Sequence, residues 1–314
     1  MTRHGFDAIP VVDFGPWSAG AAGRRAVARA VHAACRDVGF LYLTNHGVPE
    51  AACRGVFAAA RRFFELPQAA KQAVHFERSG RQRGYVPPRA EATDPLAPPD
   101  LKEAFDVGLV LDAPAGTPGH RRMTSPNLWP ELPGFREAVE AYFDEMLGLT
   151  RRLFSSFALA LGLPHRHFAR QIDRPIAQMR LLRYPARPRH EPAPGIGAHC
   201  DYECLTILAQ DAVGGLEVQN TSGAWVAAPP MQGAFVVNIG EMLQRWTNDV
   251  FRATPHRVCG AAGVERFSIP FFFATNYETE IACLPSCAGP DRPPRYPSVA
   301  AGRYLEERLR EIYG

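Results

Sequence analysis

Lysine is nearly missing from this chain: of its 35 basic residues, only Lys71 and Lys102 are lysines. With Ala, Pro and Gly abundant, the bias reads as the mark of a GC-rich coding sequence rather than of a function. No block of basic residues interleaved with aromatics occurs, and the net charge is only +3. Nucleic acid is therefore not an expected partner. No stretch approaches the ~20 apolar residues that a membrane helix needs. The first ten residues, with His4 and Asp7 among them, hold no apolar run of signal-peptide type. Cysteines stand at 35, 53, 200, 204, 259, 283 and 287 without a regular framework, which argues for reduced thiols in a soluble, cytoplasmic protein. Cys283 and Cys287 resemble half of a zinc site, but no second cysteine pair completes it.

What is present is enough chain, 314 residues, to bury a substantial core. The front half has helical spacing. Residues 21–38 place Val27, Ala30, Val31, Ala34 and Val38 on one face, and 50–65 are helical until Leu66-Pro67 stops them. Ile9–Asp13 and Gly39–Gly47 read as strands. From Ser79 to Pro133 the chain is rich in Pro, Gly and Arg and reads as long ordered loops. Gly134–Leu163 is the strongest helix.

After Pro175 the period shortens to that of strands: Gln178–Tyr184, Leu205–Gln210, Leu216–Gln219, Trp225–Ala228, Ala234–Ile239, Arg252–Val258 and Arg266–Ala274. Turn residues separate them at barrel-like spacing. Residues 298–313 form a last amphipathic helix. The expected architecture is α+β. Residues 1–174 form a mostly helical region packed on a jelly-roll core at 175–297, and 298–314 add a C-terminal helix, all within one catalytic unit.

Gly195-Ile-Gly-Ala-His-Cys-Asp-Tyr202 sets His199 and Asp201 two apart before a strand, so both side chains reach one face. Thr254-Pro-His-Arg-Val258 supplies a third candidate, His256. Two imidazoles and one carboxylate on one face of an octahedron suit ferrous iron with open positions, whereas zinc more usually takes three ligands and one water. A lone His-x-Asp is more often a turn or a satisfied polar pair, and His46, His165 and His167 read as turn or solvated histidines. Ten residues past His256, Arg266 and Ser268 share a face of an otherwise apolar strand. An Arg there needs an anion, either an internal carboxylate or a ligand matched to its planar fork.

Taken in order, Ile9-Pro-Val-Val-Asp-Phe14, Gly39-Phe-Leu-Tyr-Leu-Thr-Asn-His-Gly-Val-Pro49, Leu182-Arg-Tyr-Pro185, Gly197-Ala-His-Cys-Asp-Tyr202, Gly214-Gly-Leu-Glu-Val218, Val237-Asn-Ile-Gly240, Thr254–Val258 and Arg266-Phe-Ser-Ile-Pro-Phe-Phe272 resemble the isopenicillin N synthase-like family of iron and 2-oxoglutarate dependent oxygenases. The likeness runs over nearly the full chain. It implies a double-stranded β-helix flanked by helices, with His199, Asp201 and His256 holding Fe(II).

By the same resemblance, Arg266, Ser268 and Tyr184 bind the distal carboxylate of 2-oxoglutarate. Dioxygen is the second co-substrate, succinate and carbon dioxide are released, and a small molecule is oxidised, by hydroxylation or else by desaturation or ring closure. The spacing of Arg81 and Tyr85 is similar to that of a carboxylate-binding pair in isopenicillin N synthase. That implies a polar or anionic group of the substrate held there, with Phe272 as an apolar wall. The competing reading leaves Arg78, Arg81 and Arg83 solvated in a loop.

Cys200 stands where the family has Thr or Ser, and packing consequences alone are expected of it. Isopenicillin N synthase uses its Arg-x-Ser pair for its own substrate and places a C-terminal glutamine on iron. The end of this chain, Glu307–Gly314, has no glutamine, which favours the 2-oxoglutarate branch over an oxidase that does without it. A non-catalytic ligand-binding barrel is the remaining alternative. Oligomeric state is not legible.

Overall fold

The strand Arg266–Asn276 divides the molecule in two. Successive side chains on a strand point to opposite faces. Phe267, Ile269, Phe271 and Phe273 enter the larger apolar core under the helices. Arg266, Ser268, Pro270 and Phe272 line a cavity on the other side.

The computed structural model describes residues 5–79, 83–91, 99–111, 120, 123–186, 194–259 and 263–313. The first half runs β1 (Val11–Asp13), α1 (Ala21–Asp37), β2 (Phe40–Thr44), α2 (Glu50–Phe64), α3 (Gln68–Gln72), β3 (Gly84–Val86), β4 (Glu103–Gly108) and α4 (Phe135–Ala160). The second half contains β5 (Pro175–Tyr184), β6 (Pro194–His199), β7 (Leu205–Gln210), β8 (Leu216–Gln219), β9 (Trp225–Ala227), β10 (Phe235–Ile239), α5 (Glu241–Trp246), β11 (His256–Cys259), β12 (Arg266–Asn276), β13 (Glu280–Ile281), β14 (Val299–Ala300) and α6 (Ala301–Tyr313).

Eight strands form one sheet in the order β1-β2-β10-β7-β12-β5-β4-β3, and four form a second, β6-β11-β8-β9. Helices α1 and α2 pack on α4, and α4 packs on β12. This layer covers one face of the large sheet. Its other face meets the small sheet through Phe40, Leu182, Tyr184, Leu216, Val218 and Val258. The two facing sheets are the jelly-roll core expected from the spacing of strands. Among the described residues, no helix is long and apolar enough to cross a membrane.

The stretch read as loops between Ser79 and Pro133 contains β3 and β4, both fully buried and paired to each other, with β4 also paired to β5. No alternation of apolar and polar residues marked them, for a physical reason. Glu103 and Asp106 of β4 are buried because cations meet them there: Lys71 at 2.9 Å and Arg183 at 2.9 Å for Glu103, and Arg180 at 2.6 Å for Asp106. The pairing of β4 with β5 also ties residues before 174 to the core directly. The first half thus contributes four strands to the large sheet in addition to its helices.

The aromatic packing between these layers is dense. Phe63 of α2 is fully buried, with ring centroids 4.6 Å from Phe105, 5.4 Å from Phe135 and 6.0 Å from Tyr85. Phe63→Ala is expected to lower unfolding stability by about 3–5 kcal/mol, because the neighbouring rings are held by separate elements and close a cavity poorly. Urea denaturation of the purified variant measures this. A loss below about 1 kcal/mol would show that the helical layer repacks freely.

Candidate active site

Two strand ends of the small sheet create the site. β6 and β11 pair antiparallel, with His256 directly opposite His199, so two imidazoles from distant sequence positions stand side by side, ring centroids 4.3 Å apart. His199 Nδ1 lies 2.8 Å from the Gly197 carbonyl oxygen, and His256 Nδ1 lies 3.2 Å from that of Thr254. A carbonyl only accepts, so Nδ1 carries the proton in both rings and Nε2 is left with its lone pair. Both Nε2 atoms lie 3.6 Å from Asp201 Oδ1.

Asp201 is clamped from behind. Its Oδ2 accepts from Asn238 Nδ2 at 2.7 Å and from the Thr206 hydroxyl, which leaves Oδ1 facing the imidazoles. Gly240 keeps the loop in place: its amide donates to the Cys204 carbonyl at 3.0 Å. A Cβ at Gly240 would lie 2.1 Å from the Glu203 carbonyl oxygen, so no larger residue fits without moving the Asp201 loop. Among the described residues, His199, Asp201 and His256 are the one group of three side chains able to hold a metal, with ligand atoms within 4.8 Å of one another. Neither Cys283 nor Cys287 belongs to such a group.

Electrostatics agree with a cation site. Burial raises the Asp201 carboxyl, but His256, His199 and Thr206 outweigh it and hold the group well below the usual carboxylate range. Burial, with His199 adding, pushes His256 down to about 4 against the pull of Asp201. His256 is therefore a neutral donor at neutral pH. Burial also lowers His199, yet the neighbouring Asp201 carboxylate raises it overall. Cys200 lines the cavity wall. Burial pushes its thiol up to about 12, so it stays protonated.

The cavity, about 190 Å³, runs from this triad to Arg266. Arg266 is 1% exposed. Its Nε donates to the Gly214 carbonyl at 2.6 Å and its Nη1 to Ser268 Oγ at 3.1 Å, and its guanidinium lies 4.7 Å from the centroid of the Tyr184 ring. Nη2 is buried without a partner. No carboxylate among the described residues pairs with Arg266, so the reading of an internal ion pair falls. A buried guanidinium with an unused N–H fits an incoming carboxylate.

The matches to known proteins bear on this geometry. Residues 9–132 match the family described as non-haem dioxygenase in morphine synthesis N-terminal, and residues 175–275 match the 2OG-Fe(II) oxygenase superfamily. The chain is 33% identical to the 2-oxoglutarate-Fe(II) type oxidoreductase hxnY of Emericella nidulans, over 98% of this chain and 91% of that protein. The chain belongs to the 2OG-Fe(II) oxygenase superfamily.

Solved structures share its fold. A full-length Neurospora crassa protein, crystallised in complex with alpha-KG and thymine, is 29% identical and covers 96% of both chains, with a TM-score of 0.86. A 2OG-Fe(II) oxygenase family protein from Caulobacter crescentus is 33% identical over 98% of this chain and 100% of that one, with a TM-score of 0.87. The protein is thus a non-haem iron and 2-oxoglutarate dependent dioxygenase, with the iron-binding His-Asp-His triad of the superfamily at His199, Asp201 and His256.

Of the other predicted site residues, Tyr184, Ser268 and Phe272 line the cavity. Tyr85 does not. It is 1% exposed within the apolar core, and its hydroxyl donates to Glu103 Oε2 at 2.8 Å, so a role against substrate is withdrawn. Burial and Glu103 together push its phenol above the ordinary range. Arg81 lies outside the described residues.

Sequence reasoning missed Thr206 and Asn238, which hold Asp201, and the charged wall formed by Glu91, Lys102, Arg180 and Glu203. Asn238 sat inside a motif used only for family likeness. Lys102, one of two lysines, was the available signal for the wall. Burial, reinforced by Asp201, raises Glu203 to about 7.

Asn238→Ala leaves the triad in place but frees one side of Asp201. Loss of such a supporting hydrogen bond is expected to weaken iron binding by roughly 10- to 100-fold. Calorimetric titration of Fe(II) without oxygen measures the change. Equal affinity in variant and parent would remove Asn238 from the metal-supporting network.

Proposed function

We propose that this oxygenase hydroxylates a small organic molecule, inserting one atom of dioxygen while the other atom enters succinate as 2-oxoglutarate is oxidised to succinate and carbon dioxide. Arg266 carries the reading: a fully buried guanidinium at the cavity end, one N–H without a partner, and no carboxylate beside it among the described residues. We assign the distal carboxylate of 2-oxoglutarate to that N–H, with Ser268 and Tyr184 completing its seat. Iron bound by His199, Asp201 and His256 supplies the oxidising chemistry, in a form that needs no acid or base from the chain.

The chain's own residues bind, orient and exclude water. Phe272 stands two strand pairs from Ser268 on the same face and directly beside Thr206 of β7. It is proposed as the apolar wall for the substrate carbon to be oxidised. Seven cysteines without a disulfide support the cytoplasm as the compartment.

The reading is tested by following succinate from 2-oxoglutarate with and without Fe(II). Turnover must require the metal, and the product must gain one oxygen atom once a substrate is found. Arg266→Ala is expected to raise the KM for 2-oxoglutarate by roughly 30- to 1000-fold, because a charge-assisted contact in a buried site contributes about 2–4 kcal/mol. An unchanged KM would assign Arg266 to the prime substrate and move the protein to chemistry without 2-oxoglutarate.

A further inference from the structure

Strand β5 sends alternate side chains into the cavity. Gln178, Arg180, Leu182 and Tyr184 line it, while Ala177, Met179 and Leu181 enter the apolar core. The register of β5 on β12 fixes the depth of each. Tyr184 pairs with Arg266 at one end, and Gln178 pairs with Phe272 six residues away. Phe272 in turn stands opposite Thr206, whose hydroxyl holds Asp201. Six residues of extended strand span about 20 Å. Gln178 therefore belongs to the metal end of the cavity, beyond the seat assigned to the distal carboxylate of 2-oxoglutarate.

Gln178 is a polar group that the fold does not use. No described residue makes a hydrogen bond with its carboxamide, which opens onto the cavity. The charged groups of the same wall differ. Lys102 meets Asp100 at 2.7 Å and Glu91 at 3.0 Å, while Arg180 meets Glu91 at 2.8 Å and Asp106 at 2.6 Å. A carboxamide presents an N–H donor and a carbonyl acceptor side by side in one plane. An ammonium group would use the carbonyl alone, and a carboxylate the N–H alone. A cis-amide uses both at once, through two antiparallel hydrogen bonds. Side chains directly opposite on neighbouring strands stand about 4.5–5.5 Å apart at Cβ, so the Phe272 ring flanks this polar edge and offers a flat partner a face to pack on. Phe40, Leu208 and Leu216 add apolar wall, which suits an uncharged body.

We propose that Gln178 is a specificity-determining residue that pairs through both halves of its carboxamide with a cis-amide edge of the prime substrate. The substrate class is then a flat, uncharged molecule carrying a lactam-type N–H and C=O side by side. This rests on the reading of the cavity as a 2-oxoglutarate oxygenase site.

The test uses the full chain loaded with Fe(II) and 2-oxoglutarate under oxygen-free conditions. Calorimetry compares three probes of nearly one shape: 3,4-dihydro-2-quinolone as the lactam, its N-methyl derivative, and 2-tetralone, in which a methylene replaces the N–H. The lactam is expected to bind roughly five- to thirtyfold more tightly than the ketone, because the ketone forms one hydrogen bond fewer and leaves the Gln178 carbonyl unpaired. The N-methyl lactam should bind most weakly. Gln178→Met, close to the parent in shape but without the carboxamide, should bring the lactam-to-ketone ratio near one. Gln178→Leu is the second variant, and thermal unfolding checks that both are folded. Equal binding of lactam and ketone by the parent, no lactam binding at millimolar concentration, or a ratio that persists in the folded variants overturns the proposal. Failure of 2-oxoglutarate itself to bind would instead overturn the co-substrate reading.

Discussion

Everything at the active site depends on one contact: the clamp that Thr206 and Asn238 place on Asp201 Oδ2. Both partners come from central strands of the large sheet, β7 and β10, whereas both histidines come from the small sheet. The carboxylate therefore ties the two sheets together at the metal position. A metal ligand held by rigid elements, with its second oxygen engaged, has one orientation available, and that is what a facial triad needs. Main-chain carbonyls fix the histidine tautomers, so each ligand atom is aimed before any ion arrives.

A second constraint is the period of two along β5 and β12. It sends one set of side chains into the apolar core beneath the helices and the other into the cavity, so a single strand builds both stability and chemistry. Arg266 and Phe272 lie on the same face of β12 six residues apart, about 20 Å along an extended strand. The cavity thus has a polar end at Arg266 and an aromatic wall beside Thr206, the residue that holds Asp201. The two ends differ in charge as well. Arg266 stands at one end with an unpartnered N–H, and the Asp201 carboxylate stands at the other.

Burial of charge runs through the front of the molecule. Glu103, Asp106, Lys71, Lys102 and Arg180 all sit in or beside the large sheet, paired with one another or with neighbours. Such pairs add less stability than apolar residues of the same volume, but breaking one partner is costly. Their geometry keeps Lys102 and Arg180 engaged at the cavity wall.

The sequence by itself determined the reaction class. The triad, the Arg-x-Ser pair and the order of the strands were readable because metal ligands and strand faces leave short-range spacings: two residues for His199 and Asp201, and two for Arg266 and Ser268. Helices α1, α2, α4 and α6 and most core strands were readable for the same reason, since their periods are local. Tertiary structure decided what depends on pairing between distant segments. β4 escaped notice because its charged residues are neutralised by partners on α3 and β5, and the three-residue β3 is fixed only by pairing with β4. Tyr85 resembled a substrate residue by spacing, yet the β3–β4 pairing turns it into the core against Glu103. The supports of Asp201 were likewise invisible. Whether a carboxylate has a partner is a property of the space around it, and the chain brings that space together only on folding.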